Sequence, residues 1–197
     1  MNRWMFEHVN GFAKATPWLH TPALAYAKYG IALFAVLLVA GWWIARRAGD
    51  ARQMTAALSA GAAVLLAVAI NQPIVNTVQE ARPYTTLPPI LVLADRSNDF
   101  SFPSDHATMA GAAAVGLWLV SRKLGLLAAA AALLMAFTRV YIAAHYPADV
   151  LAGLLLGGAV AAALWALTRR LVLPVVTKLS QTPLRPLLAA GPQPPTH

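Results

Sequence analysis

Three short segments of the sequence carry side chains that could bind and cleave a phosphate group. They cover residues 81–84 (ARPY), 102–107 (FPSDHA) and 138–149 (TRVYIAAHYPAD). Guanidinium groups suit phosphate because their planar N–H forks can donate two hydrogen bonds at once to its oxygens. Cleavage also needs a nucleophile and an acid that protonates the leaving oxygen, and the segments supply imidazole groups. They therefore predict a site for phosphoryl transfer.

The position of each candidate residue suggests its role in such a site. Arg82 and Arg139 are predicted to bind phosphoryl oxygens. His145 is the predicted nucleophile, because Asp149, four residues later, can accept from one imidazole N–H and leave the other nitrogen free to attack phosphorus. Ser104 opens a predicted helix, where the dipole and the free backbone N–H groups favour an anion.

Asp105 has no single predicted role, although we include it among the substrate-binding candidates. Its carboxylate could raise the basicity of His106, hold an arginine, repel an unsuitable head group or act as a plain acidic residue at a helix N-terminus. Arg82 could also merely snorkel to the membrane surface, with Glu80 as its salt-bridge partner. His145 and its acidic neighbour could form no more than a helix cap.

The composition indicates a membrane protein, since 59% of the residues are hydrophobic and only 11% are charged. The chain has no cysteine, which excludes disulfides, thiol catalysis and cysteine metal sites. A net charge of +8 could indicate nucleic acid as a partner. However, the basic residues lie in pairs at the ends of apolar runs, which favours topology anchors at the membrane surface and no nucleic-acid partner.

Five apolar runs predict the elements that position the candidate residues. They cover about 23–45, 55–70, 104–120, 124–142 and 148–167, and the third is short for a membrane span. The predicted fold class is an all-α, polytopic membrane helix bundle of about five spans. We expect a single domain over residues 1–175, followed by a proline-rich, flexible tail over 176–197.

The N-terminal segment is predicted to be an amphipathic helix lying at the membrane interface. Its apolar side chains Trp4, Met5, Phe6 and Phe12 are expected to face lipid. The positive-inside rule places the basic loops at 46–52 and 122–123 and the tail in the cytoplasm. With five spans, all the candidate residues then lie at the outer ends of helices.

The three segments resemble the signatures of the type-2 phosphatidic acid phosphatase (PAP2) superfamily, written K-x6-R-P, P-S-G-H and S-R-x5-H-x3-D. The resemblance implies a PAP2-like helix bundle, a phosphohistidine intermediate on His145, and His106 as the group that protonates the leaving oxygen and then activates water. The chain departs from the pattern at three positions. Val75 stands where the family has lysine, Asp105 where it has glycine, and Thr138 where it has serine, so Thr138 keeps a hydroxyl for substrate binding.

The departures, together with SFPSDHAT and HYPADV, resemble the bacterial undecaprenyl-diphosphate phosphatase branch, which is linked to bacitracin resistance. This resemblance implies hydrolysis of a polyprenyl diphosphate in the bacterial cytoplasmic membrane, with membrane lipids as neighbours, in the recycling of the cell-wall lipid carrier. It implies no cofactor, and these acids are hard to assemble into a magnesium site. The alternatives are a phosphatase of phosphatidylglycerophosphate, phosphatidate or another lipid phosphate, and more distantly a drug or lipid transporter. The oligomeric state stays open.

Overall fold

Helices make up the regular structure of the described residues, and no strand occurs among them. The computed structural model describes residues 2–87 and 89–189. The helices are α1 (Asn2–Ala15), a 3-10 turn (Pro17–Leu19), α2 (His20–Ala48), α3 (Ala51–Val78), α4 (Pro83–Thr86), α5 (Asp105–Val120), α6 (Arg122–Tyr141), α7 (Pro147–Leu171), α8 (Leu173–Leu179) and α9 (Arg185–Leu188). The all-α prediction is confirmed.

The five predicted apolar runs form α2, α3, α5, α6 and α7. Four of them, all but α5, are long and apolar enough to cross a membrane, as judged over the described residues. Helix α5 has 16 residues, which corresponds to a length of about 24 Å, and it packs against α2, α3, α6 and α7. The chain is a multi-pass membrane protein in which the short third run lies among the longer helices.

Local signals explain the sharp reversal between α2 and α3. Gly49 follows α2 with a left-handed φ of 67°, and its N–H donates to the carbonyl of Ala45, which is a common way for a helix to end. Asp50 then caps α3, its Oδ1 accepting from the N–H of Arg52 at 2.8 Å. At the same end of the bundle, Gln53 Nε2 donates to the carbonyl of Val120, the last residue of α5.

Glycines allow α5 and α7 to approach each other closely. A Cβ added at Gly157 on α7 would lie 2.0 Å from the carbonyl oxygen of Thr108 on α5. A Cβ added at Gly111 on α5 would lie 2.3 Å from the carbonyl oxygen of Leu154 on α7. Both contacts are with backbone atoms that cannot rotate away, so these two positions require glycine. Such close packing holds helices together where lipid offers no hydrophobic driving force.

The N-terminal helix α1 lies on the bundle with one face buried, so the prediction for Phe6 is wrong. Trp4, Met5 and Phe12 are exposed as expected, but Phe6 has no exposed surface and packs edge-on against the ring of Tyr146 at 5.5 Å. The Phe6 ring packs in the protein core beside the turn between α6 and α7. This aromatic contact is more favourable for the ring than contact with lipid.

The segment after α7 contains helical residues. The predicted domain boundary at 175 falls inside α8, whose Val176 is buried. The flexibility predicted for the tail stays a prediction, and residues 190–197 lie outside the described part of the chain.

The glycine contact between α5 and α7 can be tested by substitution. Gly157→Ala should force the two backbones apart and destabilise the protein by about 1–3 kcal/mol, as overpacking does. Gly61→Ala on α3 is the matched control, because nothing lies within 4 Å of the added Cβ. Thermal melting in detergent measures both variants. A Gly157→Ala protein that melts with the wild type would contradict the packing described here.

Candidate active site

The end of the bundle opposite the α2–α3 reversal gathers the candidate residues from four elements. Ser104 begins the approach to α5, and its N–H donates to the carbonyl of Asp149 on α7 at 3.1 Å. The loop before α5 is fixed to the turn after α6, because the N–H groups of Leu93 and Ala94 both donate to the carbonyl of Ile142. The loop, the start of α5, the turn after α6 and the start of α7 therefore converge.

The turn between α6 and α7 places His145 beside Arg139. The carbonyl of Arg139 accepts from the N–H groups of both Ala144 and His145, at 3.1 and 3.3 Å. This path needs a left-handed residue at Ala143, whose φ is 63°. That conformation costs a non-glycine residue roughly 1–2 kcal/mol, which the surrounding packing must offset.

The hydrogen bonds of His145 define which nitrogen is free to react. Its Nδ1 lies 2.8 Å from the carbonyl oxygen of Ser101, an atom that can only accept, so Nδ1 carries the proton. Its Nε2 lies 3.3 Å from Arg82 Nη1 and 3.2 Å from Arg139 Nη2, and these groups can only donate. The Nε2 lone pair therefore points at two guanidinium groups, where a phosphoryl group would be bound.

The charge state of His145 agrees with this geometry. Burial lowers the pKa of His145 well below its usual range, and the positive charges of Arg139 and Arg82 lower it further. A lowered pKa keeps the imidazole neutral at neutral pH and under mildly acidic conditions. The ring is then available as a nucleophile rather than blocked by a second proton.

Asp149 reaches His145 less directly than the sequence predicted. Its Oδ2 lies 3.6 Å from His145 Nδ1, too far for a hydrogen bond, and accepts instead from the N–H of Tyr146 at 2.8 Å and from the hydroxyl of Ser101. That hydroxyl is also 3.4 Å from His145 Nδ1. Asp149 therefore caps α7 and holds Ser101, while the Ser101 carbonyl accepts the imidazole proton.

Sequence reasoning missed Ser101 because a backbone carbonyl leaves no side-chain signature. Ser101 is fully buried, and its N–H donates to the carbonyl of Glu80 at 2.7 Å. The one available signal was its place in the loop just before the FPSDHA segment.

Arg82 forms an ion pair with Asp99 and not with Glu80. Its Nη2 and Nε donate to the two carboxylate oxygens of Asp99 at 2.9 and 3.1 Å, while Nη1 donates to the carbonyl of Ala144 at 2.9 Å. Partial burial alone would raise the pKa of Asp99, but hydrogen bonds from Ser97 and Arg82 bring that pKa below its usual range. The side chain of Arg82 is only 8% exposed, whereas that of Asp99 is 60% exposed. The exposed Asp99 carboxylate therefore accepts, from the solvent side, the hydrogen bonds of the buried Arg82 guanidinium.

Four buried polar side-chain atoms in this region have no partner among the described residues, and a buried polar atom without a hydrogen bond costs about 1–3 kcal/mol. Asn71 Oδ1 and Asp149 Oδ1 are acceptors, whereas Ser104 Oγ and Arg139 Nε can donate. Ser104 is fully buried and stands as the N-cap of α5 without a side-chain cap. Phosphoryl oxygens or ordered water would satisfy the two donors.

His106, Arg82 and Arg139 line one cavity of about 240 Å³. Among the described residues, no three histidine, aspartate or glutamate side chains are grouped so as to hold a metal ion. The positive charge beside His145 is supplied by arginines.

Of the predicted site residues, only Arg82, His106 and Arg139 line this cavity; those that do not line it are Ser104, Asp105, Thr138, His145 and Asp149. Asp105 Oδ1 accepts from Asn71 Nδ2 at 2.7 Å and from Gln72 Nε2 at 2.9 Å, so it joins the start of α5 to α3. Thr138 is buried, and its hydroxyl donates within α6 to the carbonyl of Met135. Asp105 therefore links α5 to α3, whereas the Thr138 hydroxyl bonds only within its own helix.

The chain is similar in sequence and in fold to several known proteins. The sequence profile of the PAP2 superfamily matches residues 56–172. Undecaprenyl-diphosphatase BcrC of Bacillus subtilis is 30% identical over 154 residues, which are 78% of this chain and 77% of that protein. Decaprenylphosphoryl-5-phosphoribose phosphatase of Mycobacterium tuberculosis is 41% identical over 106 residues, 53% of this chain and 57% of that one. The crystal structure of Aquifex aeolicus LpxE has a TM-score of 0.66 at 22% identity, over 83% of this chain and 93% of that one.

The contacts around Ser101 generate a graded prediction. Ser101→Ala keeps the carbonyl that holds the His145 proton and removes the hydroxyl, so we expect about a tenfold loss of phosphate release, the equivalent of ~1.4 kcal/mol. Asp149→Ala removes the α7 cap as well and should lose more. Ser180→Ala, on a serine that bonds only within its own segment, is the control. An equal loss for Ser101→Ala and Asp149→Ala would contradict the division of roles described here.

Proposed function

The chain belongs to the PAP2 superfamily, and from this premise we propose that it is a membrane phosphatase that hydrolyses a polyprenyl diphosphate, specifically undecaprenyl diphosphate, to the monophosphate and inorganic phosphate. The observation that carries the proposal is the orientation of His145. Its Nδ1–H is held by a carbonyl, and its Nε2 faces two guanidinium groups.

The first step transfers the terminal phosphoryl group to the protein. Nε2 of His145 attacks the terminal phosphorus, and the bond between that phosphorus and the bridging oxygen breaks. His106, which takes up a second proton together with the anionic substrate, donates that proton to the departing oxygen, which leaves with the lipid monophosphate. Arg82 and Arg139 turn their N–H groups from Nε2 to the equatorial oxygens, where charge develops in the transition state.

The second step regenerates the imidazole. His106, now neutral, removes a proton from a water molecule whose oxygen attacks the phosphohistidine phosphorus. The P–N bond breaks, inorganic phosphate leaves, and both histidines regain their original protonation. Throughout, the Ser101 carbonyl keeps the proton on Nδ1 of His145, which holds the ring in one tautomer.

Substrate binding on this scheme exchanges one anion for another at Arg82. Asp99 occupies the guanidinium fork in the free protein, and its exposed carboxylate can move into solvent when a phosphate replaces it. A phosphate carries more charge and more acceptor oxygens than a carboxylate, which favours the exchange.

A second candidate substrate is a phosphate monoester on a polyprenyl-linked sugar. The observation in its favour is the 41% identity over 106 residues to a decaprenylphosphoryl-5-phosphoribose phosphatase. The diphosphate is preferred because the undecaprenyl-diphosphatase match covers more of both chains. Phosphatidylglycerophosphate and phosphatidate are further alternatives, since acyl and prenyl tails make similar apolar demands. A transporter is disfavoured, because the candidate residues lie at one end of the bundle rather than at its middle.

The active site is proposed to face outward from the bacterial cytoplasmic membrane. The basic pairs lie where α2 and α7 end and where α6 begins, at the opposite end of the bundle from His145. The positive-inside rule places that basic end in the cytoplasm.

Phosphate release by purified protein in detergent tests the function. We expect undecaprenyl diphosphate to be hydrolysed faster than phosphatidylglycerophosphate or phosphatidate at matched detergent loading. His145→Ala should lower the rate by at least ~10³-fold and Arg139→Ala by ~10²-fold, as losses of a nucleophile and of a charge-stabilising donor do. His8→Ala, which alters an exposed histidine, should match the wild type. Activity that survives His145→Ala would overturn the proposed function.

Cysteine labelling tests the orientation, since the chain has no cysteine of its own. A cysteine at the exposed Asn98, near the site, should react with a membrane-impermeant maleimide added to intact spheroplasts. A cysteine at the exposed Ala48, at the other end, should react only after lysis. The reverse pattern would place the site in the cytoplasm.

A further inference from the structure

A lysine from α2 also lines the cavity that is formed in part by His106 and the two arginines. Lys28 lies there together with Arg82, His106 and Arg139. The signature segments of this chain supply one cation fewer than the family pattern, because Val75 stands where that pattern has lysine. Lys28 approaches from a different helix, so the spacing of the signature segments could not reveal it.

Lys28 is a charged residue within an apolar helix. It lies eight residues after the first residue of α2, which is about 12 Å along an apolar helix. A cation at such a position is costly unless it faces a polar region. The cavity provides that region.

The contacts that Lys28 makes with other side chains are too weak to explain a charged residue at this position. Its Nζ is 3.6 Å from Asp95 Oδ2 and 6.0 Å from the ring centre of Tyr29. The two charged side chains are 58% and 88% exposed, and exposed pairs of this kind contribute little to stability. Lys28 is therefore free to exchange Asp95 for another anion.

The cavity thus presents two cations that are paired with solvent-exposed acids. Arg82 is paired with Asp99 beside His145, and Lys28 is paired with Asp95 elsewhere on the cavity wall. Both pairs line the same cavity, so a substrate with two phosphoryl groups could contact Arg82 and Lys28 together. Two phosphoryl groups could displace the two carboxylates together.

We propose that Lys28 binds the second phosphate of a diphosphate substrate, the one that stays on the lipid. This inference rests on the proposed function. When the bridging P–O bond breaks, that phosphate leaves with additional negative charge until His106 supplies its proton. An ammonium group beside it stabilises the leaving group, and its three N–H donors suit phosphate oxygens. Lys28 then favours diphosphates over monophosphates, whereas the arginines serve the transferring group in either substrate.

The test uses farnesyl diphosphate as substrate and inorganic phosphate as a competitive inhibitor of the purified, full-length protein. Inorganic phosphate probes the transfer subsite alone. We expect Lys28→Met to lower kcat/KM for the diphosphate by about 10- to 100-fold and to leave the inhibition constant of phosphate within about twofold. Lys28→Arg should recover most of the loss. Lys14→Met, on an exposed lysine of α1, should match the wild type.

The outcomes separate this inference from the proposed function. A wild-type protein that releases no phosphate from farnesyl or undecaprenyl diphosphate overturns the proposed function. A wild-type protein that does so while Lys28→Met stays within twofold of its kcat/KM overturns the role of Lys28. The role also fails if phosphate inhibition weakens by the same factor as kcat/KM, since Lys28 would then act on the transferring group. An unchanged melting temperature for Lys28→Met excludes misfolding as the cause of a loss.

Discussion

The hydrogen bond from His145 Nδ1 to the Ser101 carbonyl is the interaction on which the rest of the site depends. It fixes the tautomer, and the tautomer decides that the nitrogen facing Arg82 and Arg139 carries a lone pair. Burial and those two cations keep the ring neutral. A rotated or protonated ring would offer the arginines no acceptor and phosphorus no nucleophile.

The fold supplies this interaction by joining elements that are distant in sequence. Helices α5 and α7 approach closely at Gly111 and Gly157, and where the two helices begin the Ser104 N–H donates to the carbonyl of Asp149. Helix α1 supports the same end of the bundle, because its buried Asn10 exchanges two hydrogen bonds with the backbone of Leu91. The site is thus held from both sides by backbone contacts within the protein, as a lipid environment requires.

The sequence predicted the parts of this account that depend on side-chain type and local spacing. The five apolar runs, the two arginines and the R-x5-H-x3-D spacing all identify groups that the structure brings to one end of the bundle. The sequence could not reveal the carbonyl of Ser101, the inward face of Phe6 or the approach of Lys28, because each depends on contacts between distant segments. Asp105 marked the chain as unusual, yet its bonds to Asn71 and Gln72 appear only when α3 and α5 are packed.

The central claim is that His145 Nε2 carries the phosphoryl group during turnover. The most direct measurement is to mix enzyme with undecaprenyl diphosphate labelled in its terminal phosphate, quench it in alkali within one turnover, and locate the label by mass spectrometry. We expect an alkali-stable, acid-labile phosphate on His145 that is absent from His145→Ala. Label on His106, or turnover at the wild-type rate with no labelled histidine, would contradict it.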